Sequence, residues 1–187
     1  RRPTRVCWSD ACPFGIGGYS TSGRAWRVQI PTTSSLFGHP GVNNLLAFLG
    51  MVINVWLECE DARNEHECIL ALGDNTSAIG WLFSSSKFPA SSPAHKAHLL
   101  AARQLATLLL HEDHCLASQH IKGEQNLIAD LLSFAGTHHG KRHPIAHDNP
   151  SDSELTQRFH IHYPSQIPEN FSISPLPRKN LSWLTMV

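Results

Sequence analysis

Val6-Cys7-Trp8-Ser9-Asp10 is an apolar and aromatic run that stops on a carboxylate, and a glycine-rich stretch with Gly15, Gly17 and Gly18 follows it. β-Branched and aromatic content over Thr4–Trp8 suits a central strand. The glycines then punctuate a turn, and two short strand patterns, 18–21 and 25–30, are joined around Ser22-Gly23. Together these predict a three-strand antiparallel meander. Beyond it, a Pro-, Thr-, Ser- and Gly-rich loop covers 31–40.

The next pattern is helical. Asn43 or Asn44 can cap a helix running to about Glu60. Its nearly all-round apolar character, 45–52 and then Val55-Trp56-Leu57, predicts cover on more than one side. The run 66–72 reads as a buried parallel strand that closes on Gly73-Asp74. A short helix spans 76–83, a flexible connection 84–93, and a long amphipathic helix 94–111. A last strand at 115–120 and a last helix at 125–134 complete the order β-β-β-α-β-α-α-β-α. That order predicts a mixed five-stranded sheet, three antiparallel strands followed by parallel additions, flanked by helices. Right-handed crossovers then bring the ends of the first and fourth strands side by side.

From Gly136 onward histidines, prolines and polar residues dominate and periodicity fades, apart from pieces near 155–159 and 181–184. Residues 1–135 therefore read as one α/β domain, and 136–187 as a tail or linker partly packed on it. A length of 187 residues is enough for one domain with a full core.

Charge and cysteine content narrow the function classes. Lys plus Arg and Asp plus Glu balance at 15 each, so no global basic signature marks a nucleic-acid binder, and any such contact must rest on local patches. Lys96 and Arg103 could present one on the long helix, but a solvated face explains them better. Five cysteines without a CxxC pair favour neither a disulfide framework nor a zinc ribbon, and fit a reducing, intracellular setting. The most apolar stretch, 45–57, is short for a bilayer span, so no membrane partner is expected. Arg1-Arg2-Pro3 resembles no signal peptide and reads as the start of a piece of a longer protein. His138, His139, His143 and His147 invite a zinc reading, but Gly140 and Pro144 break the helix that spacing needs, and no cysteine pair lies nearby.

Three carboxylates carry the chemistry: Asp10, Asp74 and Asp130, the last inside His120-Ile121-Lys122-Gly123-Glu124-Gln125-Asn126-Leu127-Ile128-Ala129-Asp130. Taken singly, Asp10 is a strand-end turn former, Asp74 a neighbour of the cap formed by Asn75, and Asp130 part of a polar helix stripe. Taken together, carboxylates delivered by two strand ends and a helix suit paired Mg²⁺ or Mn²⁺ ions.

These phrases carry a family resemblance. Trp8-Ser9-Asp10-Ala11 before a glycine-rich turn, Gly73-Asp74-Asn75-Thr76-Ser77-Ala78, and His120-x-x-Gly123-x-x-Asn126-x-x-Ala129-Asp130 resemble, in order, the first-strand, fourth-strand and closing motifs of ribonuclease H domains from reverse transcriptases of retroelements of the DIRS or a related type. The resemblance covers about residues 4–135, and the tail through Ile173 to Trp183 also looks like the segment that follows in such elements. It implies a ribonuclease H-like fold and metal-dependent hydrolysis of the RNA strand of an RNA–DNA hybrid. It makes Asp10 the ligand shared by two metals, Asp130 the partner at the water-activating metal, and Asp74 a holder of the metal on the leaving-oxygen side. His120 would assist proton transfer or product departure, and Asn75, Thr76 and Asn126 are nucleic-acid contacts. An adjacent reverse transcriptase domain in a polyprotein is the implied partner.

One position departs from the pattern. Where the family places a glutamate, in a phrase like Asn-Leu-Leu-Glu-Phe-Leu, this chain reads Asn44-Leu45-Leu46-Ala47-Phe48-Leu49. Glu58 lies three turns on, about 16 Å along the axis, and cannot replace it. The departure predicts a weakened second metal site and weakened or absent hydrolysis. It also keeps two alternatives open: a catalytically silent module of this fold that binds nucleic acid or braces a polymerase domain, and another nuclease of the ribonuclease H superfamily.

Overall fold

A computed structural model of the chain describes residues 2–177, apart from 32, 35–37, 63–65, 93 and 136–142. Its sheet has six strands: β1 (Arg5–Cys12), β2 (Gly15–Ser20), β3 (Arg24–Gln29), β4 (Cys68–Gly73), β5 (Cys115–His120) and β6 (Ser172–Ile173). They lie in the order β5-β4-β1-β2-β3-β6. β1, β2 and β3 form the antiparallel meander, while β4 pairs parallel with β1, β5 parallel with β4, and β6 parallel with β3. The architecture is the mixed, helix-flanked α/β sheet expected above, enlarged by one strand from a segment that sequence pattern alone assigned to the tail.

Helix α1 (Val42–Asp61) lies on one face of the sheet, with α2 (Thr76–Phe83) and α3 (His95–Glu112) packed around it. Buried on nearly every side, it forms the first core with Cys7, Ile16, Trp26, Ile69 and Ala71. It is long and apolar enough to cross a membrane, but most of it is buried inside the fold. Gly41, in the left-handed region at φ 80°, precedes it, and no side chain caps it. Asn44, one of the two expected caps, instead accepts elsewhere, its Oδ1 taking a hydrogen bond from Asn75 Nδ2 at 2.9 Å.

Helices α4 (Leu127–Phe134) and α5 (Asp152–His162) cover the other face. Their core contains Tyr19, Ile128, Leu131, Leu132, Leu155, Phe159, Phe171 and Ile173. A capping box starts α5: Ser151 Oγ accepts from Glu154 N at 3.2 Å, and Ser151 N donates to Glu154 Oε2 at 2.8 Å. Arg27 on β3 holds this segment by donating to Asp152 Oδ1 at 2.8 Å and to the Pro150 carbonyl at 2.6 Å. The residues around 155–159 are therefore a helix docked on the sheet, its Leu155 and Phe159 completely buried. Residues from 178 on, Trp183 included, lie outside the described part of the chain.

The glycines at 15, 17 and 18 do not make a turn; all three lie within β2. Their smallness serves helix approach. A Cβ on Gly17 would stand 2.5 Å from Leu132 Cβ and 2.6 Å from Ser133 N, and one on Gly15 would strike the Ser133 carbonyl. Backbone-to-backbone packing of α4 on β2 needs that space, and it brings the helix carrying Asp130 down onto the sheet.

An aromatic polar side chain also sits at the first core. His98 on α3 is fully buried, stacked between Phe48 and Phe88 at ring separations of 4.4 and 4.2 Å, with Trp81 edge-on at 5.4 Å. Among the described residues, neither of its ring nitrogens has a hydrogen-bond partner. Burial, reinforced by the charge of His95, pushes its pKa down to about 4 from 6.5.

Two stability measurements check these packing arguments. Gly17→Ala should lower the unfolding free energy in urea by about 1–3 kcal/mol, as overpacking of a closed interface does. His98 contributes stability that is present above the unfolded value of 6.5 and lost as the pH falls through the folded value of about 4. The unfolding free energy of His98→Phe should therefore gain on that of the parent chain as the pH is lowered through that window. A constant difference would show that His98 does not titrate there.

Candidate active site

The parallel pairing of β1 with β4 runs from Arg5↔Ile69 to Trp8↔Leu72. Asp10 on β1 and Asp74, just past β4, therefore emerge at the same end of neighbouring strands. Two buried amides steer the helices to this point. Asn54 of α1 donates to the Trp8 carbonyl at 2.6 Å and accepts from Trp26 Nε1 at 2.7 Å. From the opposite face, Asn126 donates to the Ser9 carbonyl at 3.0 Å. Asp130 stands one turn into α4 from Asn126, its backbone N–H donating to the Asn126 carbonyl at 3.0 Å.

The three aspartates meet electrostatically. Burial raises the Asp10 carboxyl to about 8 from 3.8, and the charge of Asp74 and a hydrogen bond with Asp130 push in the same direction. Asp130 is also raised, by burial first and by the charge of Asp74; its hydrogen bond with Asp10 and the charge of His143 act against that. Asp10 and Asp130 thus share a proton and titrate as a pair. Asp74 lies against the turn that precedes α4, since a Cβ on Gly123 would be 3.3 Å from its Oδ2. The glycine of the closing motif lets backbone come this close to a carboxylate. Among the described residues, no group of three or more His, Cys, Asp or Glu is already drawn together as a metal cage. The donor chemistry nevertheless suits a hard divalent cation, whose charge would relieve the repulsion that keeps a proton on the Asp10–Asp130 pair.

The other residues singled out from sequence fall around this edge. His120 ends β5 opposite Gly73, and its Nε2 is 3.1 Å from the Asp74 carbonyl oxygen. Asn75 caps α2 by accepting from Ala78 N at 2.9 Å, and Thr76 is exposed in the first turn. Asn126, expected as a nucleic-acid contact, is only 1% exposed and holds α4 against β1; burial removes it from reach of a strand in solvent.

Ala47 lies on α1. The helix runs antiparallel to β1, with Asp61 and Glu58 beside Arg5, Asn54 on Trp8, Gly50 over Ser9 and Asn44 at Asn75. Ala47 lies one turn from both Gly50 and Asn44, at the sheet end that carries the aspartates. Glu58 is bound at the opposite end, its Oε2 3.1 Å from Arg5, and supplies nothing to the site.

Sequence pattern missed His143. It comes close enough for its charge to act on Asp130, and burial lowers its own pKa, with Asp130 opposing and His162 adding to that lowering. Its place among clustered histidines was visible, but its neighbour was not. Residues 144–148 form turns, and His147 Nδ1 bonds the Pro144 carbonyl at 2.8 Å, so the helical spacing needed for zinc is absent there. His138 and His139 lie outside the described residues. Lys96 and Arg103 are exposed on α3.

No family model and no curated protein matches this chain. Among solved structures, it is similar to LC11-RNase H1 in complex with an RNA/DNA hybrid, at 15% identity and a TM-score of 0.48 over 69% of this chain and 93% of that one. It is also similar to the prototype foamy virus protease-reverse transcriptase, at 17% identity and a TM-score of 0.46 for the selenomethionine-labelled CSH mutant, and at 18% and 0.44 for the native protein. The aligned part covers 74% of this chain and 21% of the viral mutant, and 71% and 21% for the native protein.

The pH dependence of the shared proton can be measured. The folded pKa of Asp10 lies above that of an unfolded carboxyl, so its contribution to stability is complete below about 3.8 and is lost as the pH rises through about 8. With chelator present, Asp10→Asn should be more stable than the parent chain at pH 8, by about 1–3 kcal/mol in denaturant unfolding. The gain should shrink towards zero near pH 4.

Proposed function

We propose that the chain is the ribonuclease H-type domain of a reverse transcriptase of the retroelement kind, built to hydrolyse the RNA strand of RNA–DNA hybrids and weakened by alanine at position 47. The observation that supports this reading is the convergence of Asp10, Asp74 and Asp130 on one sheet end, where the charge of Asp74 and a hydrogen bond with Asp130 add to burial in raising the Asp10 carboxyl to about 8.

In this reading Asp10, Asp74 and Asp130 hold Mg²⁺ or Mn²⁺. Bound there, the ions supply water activation and charge stabilisation at the scissile phosphate. The work of the chain itself is to hold the carboxylates in place. Asn126 and Asn54 position β1 and its two helices, and Gly123 admits the turn against Asp74. His120, exposed at the end of β5, is placed to exchange protons with solvent near the departing product. Exposed Thr76, at the start of α2 and next to the cap Asn75, offers a phosphate contact where backbone N–H groups point outward. Hybrid selectivity would come from helix shape and 2′-hydroxyl contacts more than from base readout. A neighbouring polymerase domain would deliver the hybrid.

Ala47 favours a second reading, a silent module that binds hybrid or braces that neighbour without cutting. The two separate in one assay. With a labelled RNA–DNA hybrid and Mg²⁺ or Mn²⁺, Ala47→Glu should cleave at least about tenfold faster than the parent chain, and adding Asp10→Asn should abolish the gain. Mg²⁺ should also raise the thermal midpoint of the parent chain, and raise that of Ala47→Glu further, because binding favours the folded state. Retained hybrid binding without cleavage by either protein supports the silent module. Equal cleavage by both shows that position 47 is not the defect.

A further inference from the structure

Cys68 on β4 and Cys115 on β5 are register partners. Their successors, Ile69 and Leu116, are also partners, and both pack into the core on the α1 side of the sheet. The pleat therefore turns Cys68 and Cys115 together onto the opposite face. On that face α4 covers β1, β2 and β3, while β5 is the outermost strand of the sheet. Cys68 is 6% exposed and belongs to neither core cluster, and Cys115 is half-buried and open to reagents. Adjacent strands lie about 4.8 Å apart, inside the Cα separation of roughly 4.4–6.8 Å that a disulfide spans.

We propose that Cys68 and Cys115 are a redox-sensitive modification site, forming a reversible cross-strand disulfide that clamps the edge strand β5 to β4. A low-molecular-weight disulfide is the co-reactant. Cys115, as thiolate, attacks one of its sulfurs and expels a first small thiolate, leaving a mixed disulfide. Cys68 then gives up its proton, attacks the Cys115 sulfur and expels the second small thiolate. Two protein thiols lose two protons and two electrons, and the co-reactant is reduced to two thiols. The closed loop contains α2 and α3, and the clamped strand is the one that ends in His120.

The remaining thiols are poorer partners. Cys7, Cys12 and Cys59 are buried, and burial raises the pKa of each, Cys59 to about 12. The charge of Cys59 does act on Cys7, which makes these two the competing pair.

The test uses native chain and oxidised glutathione, followed by alkylation and peptide mass mapping. The expected result is a peptide linking Cys68 to Cys115, loss of two alkylatable thiols, and a thermal midpoint raised by several degrees and restored by dithiothreitol. In Cys68→Ser, Cys115 should stop at the glutathione adduct; in Cys115→Ser, Cys68 should stay reduced over the same time. A lasting adduct on Cys115 of the parent chain, no modification at all, or a link between Cys7 and Cys59 would each overturn the proposal. The readout does not involve hydrolysis or metal, so it stands apart from the function proposed above.

Discussion

Two buried side-chain amides grip consecutive carbonyls of β1, and the rest of the structure is arranged about that grip. Asn54 reaches Trp8 from α1 and Asn126 reaches Ser9 from the start of α4, at 2.6 and 3.0 Å. An amide left unpaired in an apolar core costs about 1–3 kcal/mol, so neither helix can slide along the sheet without a penalty. The residue after these two carbonyls is Asp10. Position along β1, on both faces at once, is thereby set at the point where the candidate chemistry lies.

The site trades stability for charge density. Asp10, Asp74 and Asp130 are held where burial and mutual repulsion oppose full ionisation, and a shared proton relieves part of the strain. Ala47, at the same end of the sheet, adds no charge to this cluster. His143, from beyond the stretch that carries the motifs, adds a group whose positive form favours the ionised Asp130.

The segment after Asp130 does more than trail from the domain. It supplies α5 and β6, buries Phe159 and Phe171 against Tyr19, and extends the sheet past β3. Arg27, the capping box at Ser151 and the parallel pairing of Ala25 with Ile173 fasten it. The helix is only weakly amphipathic, with its burial concentrated in Leu155 and Phe159, which is why sequence pattern showed only a short piece near 155–159 within a tail or linker partly packed on the domain.

Sequence by itself determined the meander, the buried parallel strands, the long apolar helix and the three carboxylates in order. Period-two and near-continuous apolar runs specify strands and helices locally. Tertiary structure alone decided three further matters. Gly15 and Gly17 lie in a strand paired on both sides, and their smallness admits the backbone of α4, a contact between residues more than a hundred positions apart. Asn126 is a buried brace, because its partner, the Ser9 carbonyl, is invisible from its own neighbourhood. His143 reaches Asp130 only through the packing of the last segment on α4. Local pattern records what a residue prefers; which charge or carbonyl stands opposite it depends on how distant segments meet, and that is where the character of this site is set.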